Sequence, residues 1–304
     1  MITVFTPTYN RANLLPRVYE SLCNLDLNFD VDFNQKLEWL MVDDGSTDNT
    51  REVVEEIYSK HTAPFAIRYI YKKNGGKHTA VNVGVQEAKG ELFFILDSDD
   101  YLPSDALKIV AEEYTKIKDD AAIGGVAGLD CFVDGRVVGN GLPSESINCN
   151  AMDIRYKYHV TGDMKEVFRT EVLKEFPFPE IEGERFCPEA LVWNRIAKKY
   201  KLHYFNKPIY IAEYQEGGIT SGITRARMNS PIASMMTYAE LFDSNINSNP
   251  NFNLPFEQKV KAAINYWRFA FCAKDRKVKI KGWGNLLAPL GYLMHLRDRR
   301  KVKL

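Results

Sequence analysis

The chain has 304 residues, 45% hydrophobic and 26% charged, enough to bury one sizeable core or one domain with an appendage. Lys+Arg and Asp+Glu each number 40, so whole-chain charge singles out no class of partner. No apolar run approaches the roughly 20 residues that span a bilayer, and five widely spread cysteines without a C-x-x-C spacing exclude a disulfide framework and read as free thiols in a reducing cytosol.

Met1-Ile2-Thr3-Val4-Phe5 lacks a charged leader and runs directly into a strand, which predicts a cytosolic protein or one bound to the cytosolic side of a membrane. Ile2–Phe5 reads as the first buried strand, followed by the loop Thr6-Pro7-Thr8-Tyr9-Asn10-Arg11 and a helix with Leu14, Leu15, Val18 and Leu22 at helical spacing. Leu37–Val42 is a second strand ending in Asp43-Asp44-Gly45-Ser46-Thr47-Asp48, before a helix whose inner face is Val53, Val54 and Ile57. Ile67–Tyr71 is a third strand, with Asn74-Gly75-Gly76-Lys77 and a helix through Val81, Val85 and Ala88 behind it. The fourth, Phe93–Leu96, runs into Asp97-Ser98-Asp99-Asp100. Strand, loop and helix recur about every 30 residues, the grammar of a parallel doubly wound α/β sheet, so four polar loops converge on one sheet edge. No G-x-G-x-x-G follows the first strand, and Gly75-Gly76-Lys77-His78 lacks the Ser or Thr of a P-loop.

Carboxylates crowded at the end of a buried strand repel one another unless a divalent cation sits among them, and oxygen ligands suit Mg2+ or Mn2+. Asp99 and Asp100 as caps of the helix near Pro103 are the alternative. Beyond residue 120 the pattern changes. Ile123–Leu129 and Cys131–Val138 read as an antiparallel hairpin around Asp134-Gly135, and Gly139–Asn150 as a mobile loop. Residues 162–176 hold a strand and a short helix, Pro188–Ala197 a helix, and Leu202–Phe205 and Ile209–Ile211 two strands. Residues after 226 read as helical with a break at Asn245–Pro250.

Thr6-Pro7-Thr8-Tyr9-Asn10-Arg11, Asp43-Asp44-Gly45-Ser46-Thr47-Asp48, Asn74-Gly75-Gly76-Lys77 with Asn82, and Leu96-Asp97-Ser98-Asp99-Asp100 stand in the order and spacing of family 2 glycosyltransferases. Over about residues 1–215 the sequence resembles that family. The resemblance implies a GT-A fold: a mostly parallel central sheet flanked by helices, a small antiparallel sheet on the acceptor side, and here a helical C-terminal extension. It divides the chain into a catalytic domain, 1–225 (nucleotide-binding half 1–100, acceptor half 101–225), and an extension, 226–304.

By the same resemblance Tyr9 packs on the base of a sugar nucleotide, with Pro7 and Thr8 shaping the wall. Asp44 accepts from the base and Asp43 supports its loop. Lys77 helps hold the diphosphate or base, and Arg11, Asn74, Gly76, Asn82 and Ser98 complete the nucleotide-sugar residues. Asp99 ligates Mn2+ or Mg2+, and Asp97 contacts the ribose or the metal. His159 and His203 are candidates for a third metal ligand. The family's base is the second residue of a Glu-Asp pair, four residues before a Trp and six before an Arg. Here Pro188-Glu189 precedes Trp193 and Arg195 at that spacing, so Glu189 takes the base position, with Glu184 or Glu182 as alternatives. Pro188 departs from the pattern and leaves a degenerate nucleotide-sugar-binding module as a second reading. A sugar nucleotidyltransferase would carry a glycine-rich loop where Thr6-Pro7-Thr8-Tyr9 stands. Without the Q-x-x-R-W motif of polymerising members, the resemblance implies inverting transfer of a single sugar to a glycan or lipid-linked acceptor, in surface polysaccharide or glycolipid synthesis.

Residues 274–304 contain ten Lys/Arg against Asp275 and Asp298, a net +8 balanced by −8 in the rest. The apolar, aromatic stretch between these charges reads as an interfacial segment, 279–304, attracted to an anionic membrane surface rather than to nucleic acid, with a helix packed on the catalytic domain and a solvated basic end as the alternative. Pro289 with Gly282, Gly284 and Gly291 argues against a long uninterrupted helix there.

Overall fold

The computed structural model describes residues 1–29, 36–213, 219–243, 254–275 and 277–302. Strands β1 (Ile2–Thr8), β2 (Leu37–Asp43), β3 (Ala66–Tyr71) and β4 (Leu92–Ile95) alternate with helices α1 (Leu15–Cys23), α2 (Thr50–Lys60) and α3 (Lys77–Glu87). Then follow α4 (Ala106–Thr115), β5 (Ile123–Cys131), β6 (Ser146–Cys149), α5 (Ala151–Tyr156), β7 (Met164–Arg169), α6 (Thr170–Glu175), α7 (Glu189–Ala197) and β8 (Lys201–Ile211). The remaining helices are α8 (Ile219–Asn229), α9 (Pro231–Phe242), α10 (Phe256–Ala270) and α11 (Ala288–Val302), the last preceded by a 3-10 segment, Gly282–Leu287.

Two compact units result. Met1–Gly75, Thr79–Pro177 and Tyr200–Gln215 form the first; Gly76–His78, Phe178–Lys199 and Glu216–Leu304 form the second. The first holds an eight-stranded sheet in the order β3-β2-β1-β4-β7-β5-β8-β6. Pairs β3–β2, β2–β1, β1–β4 and β5–β8 are parallel, and β4–β7, β7–β5 and β8–β6 antiparallel. Every residue of β1, β2 and β4 is buried, as strands covered on both faces require. Leu15, Val18 and Leu22 of α1 and Val54 and Ile57 of α2 pack with Ile2, Val4, Trp39 and Phe94 in one core.

The antiparallel strands extend this one sheet instead of forming a separate acceptor-side sheet. The expected hairpin shrinks to a turn at Asp134-Gly135 and a single bridge, Cys131↔Val137, because both edges of β5 are already taken by β7 and β8. The expected loop 139–150 contains β6, and the two strands expected over 202–211 are one, β8, which absorbs Pro208 at register shifts opposite β5. The break expected at Asn245–Pro250, together with Arg276 and Lys303, lies outside the described residues.

In the second unit Met235, Phe242, Ala263, Tyr266, Phe269 and Ile280 form a core. Pro289 does not interrupt α11. It falls in the first turn, where its missing N–H costs nothing, and Gly291 lies under Trp267, whose Cβ would be 2.4 Å from an added methyl group. Among the described residues no helix is long and apolar enough to cross a membrane.

A buried ionic knot ties α4 to β6 and β8. Glu113 accepts from Lys207 (3.0 Å) and Lys116 (2.5 Å) and pairs with His203 (3.2 Å), whose other ring nitrogen meets Asn148 (2.6 Å). Burial opposes ionisation of Glu113, but hydrogen bonds from Lys116, Lys207 and His203 outweigh it and bring its pKa down to about 2. A depressed carboxylate stabilises fully above its unfolded pKa and loses that contribution as pH falls toward the folded value. Glu113→Gln is therefore expected to cost on the order of 3 kcal/mol at pH 7 in thermal unfolding, with the deficit narrowing between about pH 4.5 and 2. An equal deficit at pH 7 and pH 3 would contradict this.

Candidate active site

The carboxyl ends of β1, β2 and β3 are level, with Thr8 opposite Asp43 and Asp43 opposite Tyr71. Asp43 is buried and turns the chain: one oxygen accepts from Ser46 N–H (2.7 Å), the other from the Tyr69 hydroxyl (2.6 Å). Burial first, then Asp43, raises the Tyr69 pKa, which keeps its proton in place as donor. Asp44, also buried, joins two loops by accepting from Lys72 Nζ (2.7 Å), Gly75 N–H (2.9 Å) and Asn74 Nδ2 (3.2 Å). Gly45 is required there: its φ is +84°, and a Cβ would stand 2.7 Å from Asn74 N. Asn10, at φ 51°, locks the first loop to the second, its N–H donating to Ser46 Oγ (2.9 Å) and its Oδ1 accepting from Thr47 N–H (2.8 Å). Tyr9 leaves this frame 45% exposed, Pro7 is buried, and the Thr8 hydroxyl is buried without a hydrogen-bond partner among the described residues. Arg11 and Asn82 are half-buried.

Phe5 pairs with Ile95, so continuing the β1–β4 register brings Asp97 level with Pro7. Asp97 to Asp100 form a tight turn closed by Asp100 N–H to Asp97 C=O (3.1 Å). The Tyr210 hydroxyl on β8 sits beneath it, accepting from Asp97 N–H (3.1 Å) and donating to Asp100 Oδ2 (2.7 Å). Asp100 also accepts from Glu213 N–H (2.8 Å), and burial still raises its pKa against these donors. Arg17 clamps the far side: it donates to Asp99 C=O (2.8 Å), lies 4.7 Å over the Tyr101 ring and pairs with Glu213. Asp100 is thus a structural member of the turn. Among the described residues the hydrogen bonding of Asp99 runs through its main-chain carbonyl. Ser98 is buried.

In the helical unit Lys77 Nζ pairs with Glu189 Oε1 at 2.9 Å, so two residues singled out from separate motifs meet. Gly76 makes its turn at φ +99° against Arg185, whose carbonyl oxygen would stand 2.0 Å from a Cβ. Glu189 opens α7, which Trp193 and Arg195 hold: Trp193 packs edge-on to Phe178 (5.8 Å), and Arg195 grips Glu240 of α9 through two bonds (3.0 and 2.6 Å). Glu184 is otherwise engaged. Its oxygens accept from Ile232 N–H (2.6 Å) and Ala233 N–H (2.9 Å), capping the amino end of α9. Glu182 is exposed.

His203 belongs to the Glu113 knot. It lies seven residues before Tyr210 on the same strand, roughly 23 Å along it, which removes it as a ligand beside Asp97. His159 is exposed at φ 55°. No group of three or more His, Cys, Asp or Glu side chains among the described residues is arranged to hold a metal ion. Sequence reasoning missed Lys72, Arg17 and Tyr210, long polar side chains reaching from outside the motifs. It also missed Asp130, buried in β5 with Oδ1 unpartnered, whose one signal was a lone acid in an apolar run.

Residues 3–159, just over half of the chain, match the family described as Glycosyl transferase family 2. Chondroitin synthase of Pasteurella multocida is 36% identical over 141 residues, which are 46% of this chain but 14% of that protein, so the chain spans a small part of it. Glycosyltransferase GlyG of Streptococcus pneumoniae is 26% identical over 237 residues, 72% of each chain. Among solved structures, S. aureus TarS 1-349 in complex with UDP-GlcNAc superposes with a TM-score of 0.60 at 20% identity, covering 99% of this chain and 90% of that one. Mannosyltransferase PcManGT from Pyrobaculum calidifontis, in complex with GDP-Man and Mn2+, gives 0.57 at 19% identity, covering 99% and 83%. The sheet order, the rim of acidic turns and the match over residues 3–159 together make this chain a member of glycosyltransferase family 2 with a GT-A fold.

Proposed function

We propose that the chain is a metal-dependent, inverting glycosyltransferase that moves one sugar from a nucleotide-diphosphate sugar to a hydroxyl of a glycan or lipid-linked acceptor, in surface polysaccharide or glycolipid synthesis. The observation that carries this reading is the Asp97–Asp100 turn, pinned from two sides by Tyr210 and Arg17 while the Asp99 carboxylate stays outside that network among the described residues. In this reading residues 1–225 perform the chemistry and 226–304 are an extension.

The donor set fits a divalent cation. Asp97 and Asp99 offer hard carboxylate oxygens, and Mg2+ or Mn2+ is commonly held by one or two carboxylates plus substrate phosphates, so a third protein ligand is not required. When bound, the ion neutralises charge that develops on the diphosphate. Tyr9 offers its exposed ring to the base, against Pro7 and Thr8, and Asp44 accepts from the base edge. Lys77, with Arg11, Asn74, Gly76, Asn82 and Ser98, holds the remainder of the donor. Glu189 accepts the proton of the acceptor hydroxyl as its oxygen bonds to the anomeric carbon; the bond from that carbon to the diphosphate breaks, and nucleoside diphosphate leaves. The TarS complex with UDP-GlcNAc and the PcManGT complex with GDP-Man supply the donors to try first.

Asp99→Ala is expected to cut Mn2+-dependent release of nucleoside diphosphate by about 100-fold or more, and Glu189→Gln to abolish transfer while retaining donor binding. Wild-type turnover in Asp99→Ala would contradict the reading. Donor binding without turnover in the unaltered chain would move the assignment to a binding module.

A membrane-side acceptor is the partner this reading favours. Leu286 (79% exposed), Leu293 (63%) and Phe256 (70%) stand out from the helical unit with Trp283 and Leu290, and Lys279, Lys281, Arg297 and Arg300 flank the stretch from Trp283 to Leu293 in sequence. Apolar side chains beside cationic ones match an anionic lipid surface on the inner face of the membrane. Leu286→Asp with Leu293→Asp is expected to lower sedimentation with anionic vesicles by about tenfold and leave nucleoside diphosphate release unchanged. Equal binding of the unaltered chain to anionic and zwitterionic vesicles would contradict it.

A further inference from the structure

Strand register assembles a second group of charges at the rim that holds the acidic turn. Phe94 pairs with Val167, so continuing the β4–β7 register brings Lys165 level with Leu96, one residue before Asp97. On β7's other side Leu129 pairs with Met164, and one further step sets Asp130 opposite Asp163; Asp130 also pairs with Tyr210. Lys165 Nζ stands 3.7 Å above the ring of Tyr210, the residue whose hydroxyl carries the Asp97–Asp100 turn. The charges that act on Asp130 are those of Lys165, Asp163, Asp100 and Asp97.

Asp130 is 6% exposed, and its Oδ1 is buried without a hydrogen-bond partner among the described residues. Lys165 opposes the effect of burial electrostatically yet makes no ion pair with Asp130 within 4.0 Å among the described residues. Burial disfavours the charged form of Asp130 and pushes its pKa up to about 7, and a buried carboxyl oxygen left unbonded calls for a partner, which a bound ligand can supply. The ligand is not a metal ion shared with Asp97 and Asp99, because the described acids do not form a group of three that could hold one. A neutral O–H or N–H donor fits: it satisfies the buried oxygen and adds no further charge to a cluster that already contains Lys165, Asp163, Asp100 and Asp97.

We propose that Asp130 is a specificity-determining residue of the donor subsite, accepting a hydrogen bond from a hydroxyl or amide N–H of the transferred sugar while Lys165 balances its charge. This rests on the glycosyltransferase reading above and names what recognises the sugar, as distinct from the nucleotide. Asp97, Asp99 and the β1–β3 loops then serve the diphosphate and base, and Asp130 tests the hexose.

The test is titration of the full chain and of Asp130→Asn, in Mn2+, with UDP, UDP-GlcNAc, GDP and GDP-mannose, read by calorimetry and thermal shift. The expected result is a variant that binds the nucleoside diphosphate within about twofold of wild type but the matching sugar nucleotide about tenfold more weakly, since a charge-assisted hydrogen bond is lost. Its ligand-free melting temperature should not fall, because the substitution removes a buried unpaired charge. Unchanged sugar-nucleotide affinity overturns the proposal, as does an equal loss for both ligand types or a lowered ligand-free melting temperature with the sugar increment intact. Asp130→Ala, read the same way, guards against the asparagine amide substituting as acceptor. An unaltered chain that binds none of the four overturns both this proposal and the reading on which it rests.

Discussion

Mutual repulsion among carboxylates at the carboxyl edge of the sheet is the constraint to which the fold responds. Asp43 and Asp44 end β2, and Asp97, Asp99 and Asp100 follow β4, in positions where low dielectric strengthens every unscreened interaction. Three of these acids each have a particular answer. Asp43 takes a phenol and a main-chain N–H; Asp44 takes an ammonium, a side-chain amide and a main-chain N–H; Asp100 takes a phenol and a main-chain N–H. Most of these donors are neutral, so the loops are held rigid without cancelling the rim's negative charge. What remains is a rigid rim that keeps its negative charge, the feature on which the proposed binding of a cation and a diphosphate rests.

That arrangement explains why supporting residues come from so far away in sequence. Tyr210 and Glu213 reach Asp97 and Asp100 from the far end of β8, and Arg17 reaches the same turn from α1. A turn fixed by three residues distant in sequence resists relaxing when its acids repel, which is the condition for aiming charge at a ligand. In the helical unit the division of labour is similar. Trp193 and Arg195 lock α7 to its neighbours, Glu184 caps α9, and Glu189 is left to pair with Lys77.

The first hundred residues were legible because β1, β2 and β4, buried on both faces, read as continuous apolar runs, with polar loops after them. Later elements were less so, for identifiable reasons. β6 is a four-residue edge strand in which Ser146 and Asn148 are exposed and only Cys149 is buried, so it carries no apolar run. Pro208 read as a strand break but falls where β8 already shifts register against β5. Cys131–Val138 has hairpin chemistry at Asp134-Gly135, yet β5 had no edge left to pair. The residues proposed for the site stand in local motifs that the sequence displays, whereas the residues that hold them do not. Lys72, Tyr210 and Arg17 act through tertiary contacts that leave no local spacing, and His203, an attractive ligand by residue type, is consumed by Glu113.

The central claim is that the rim acids hold a divalent ion which in turn grips the diphosphate of an activated sugar. A crystal of the full chain grown with Mn2+ and UDP-GlcNAc or GDP-mannose, phased to reveal anomalous scattering from manganese, tests it most directly. The account predicts a manganese peak within coordination distance of the Asp99 carboxylate and of two diphosphate oxygens. A bound nucleotide sugar with no manganese near Asp97 or Asp99 would contradict it.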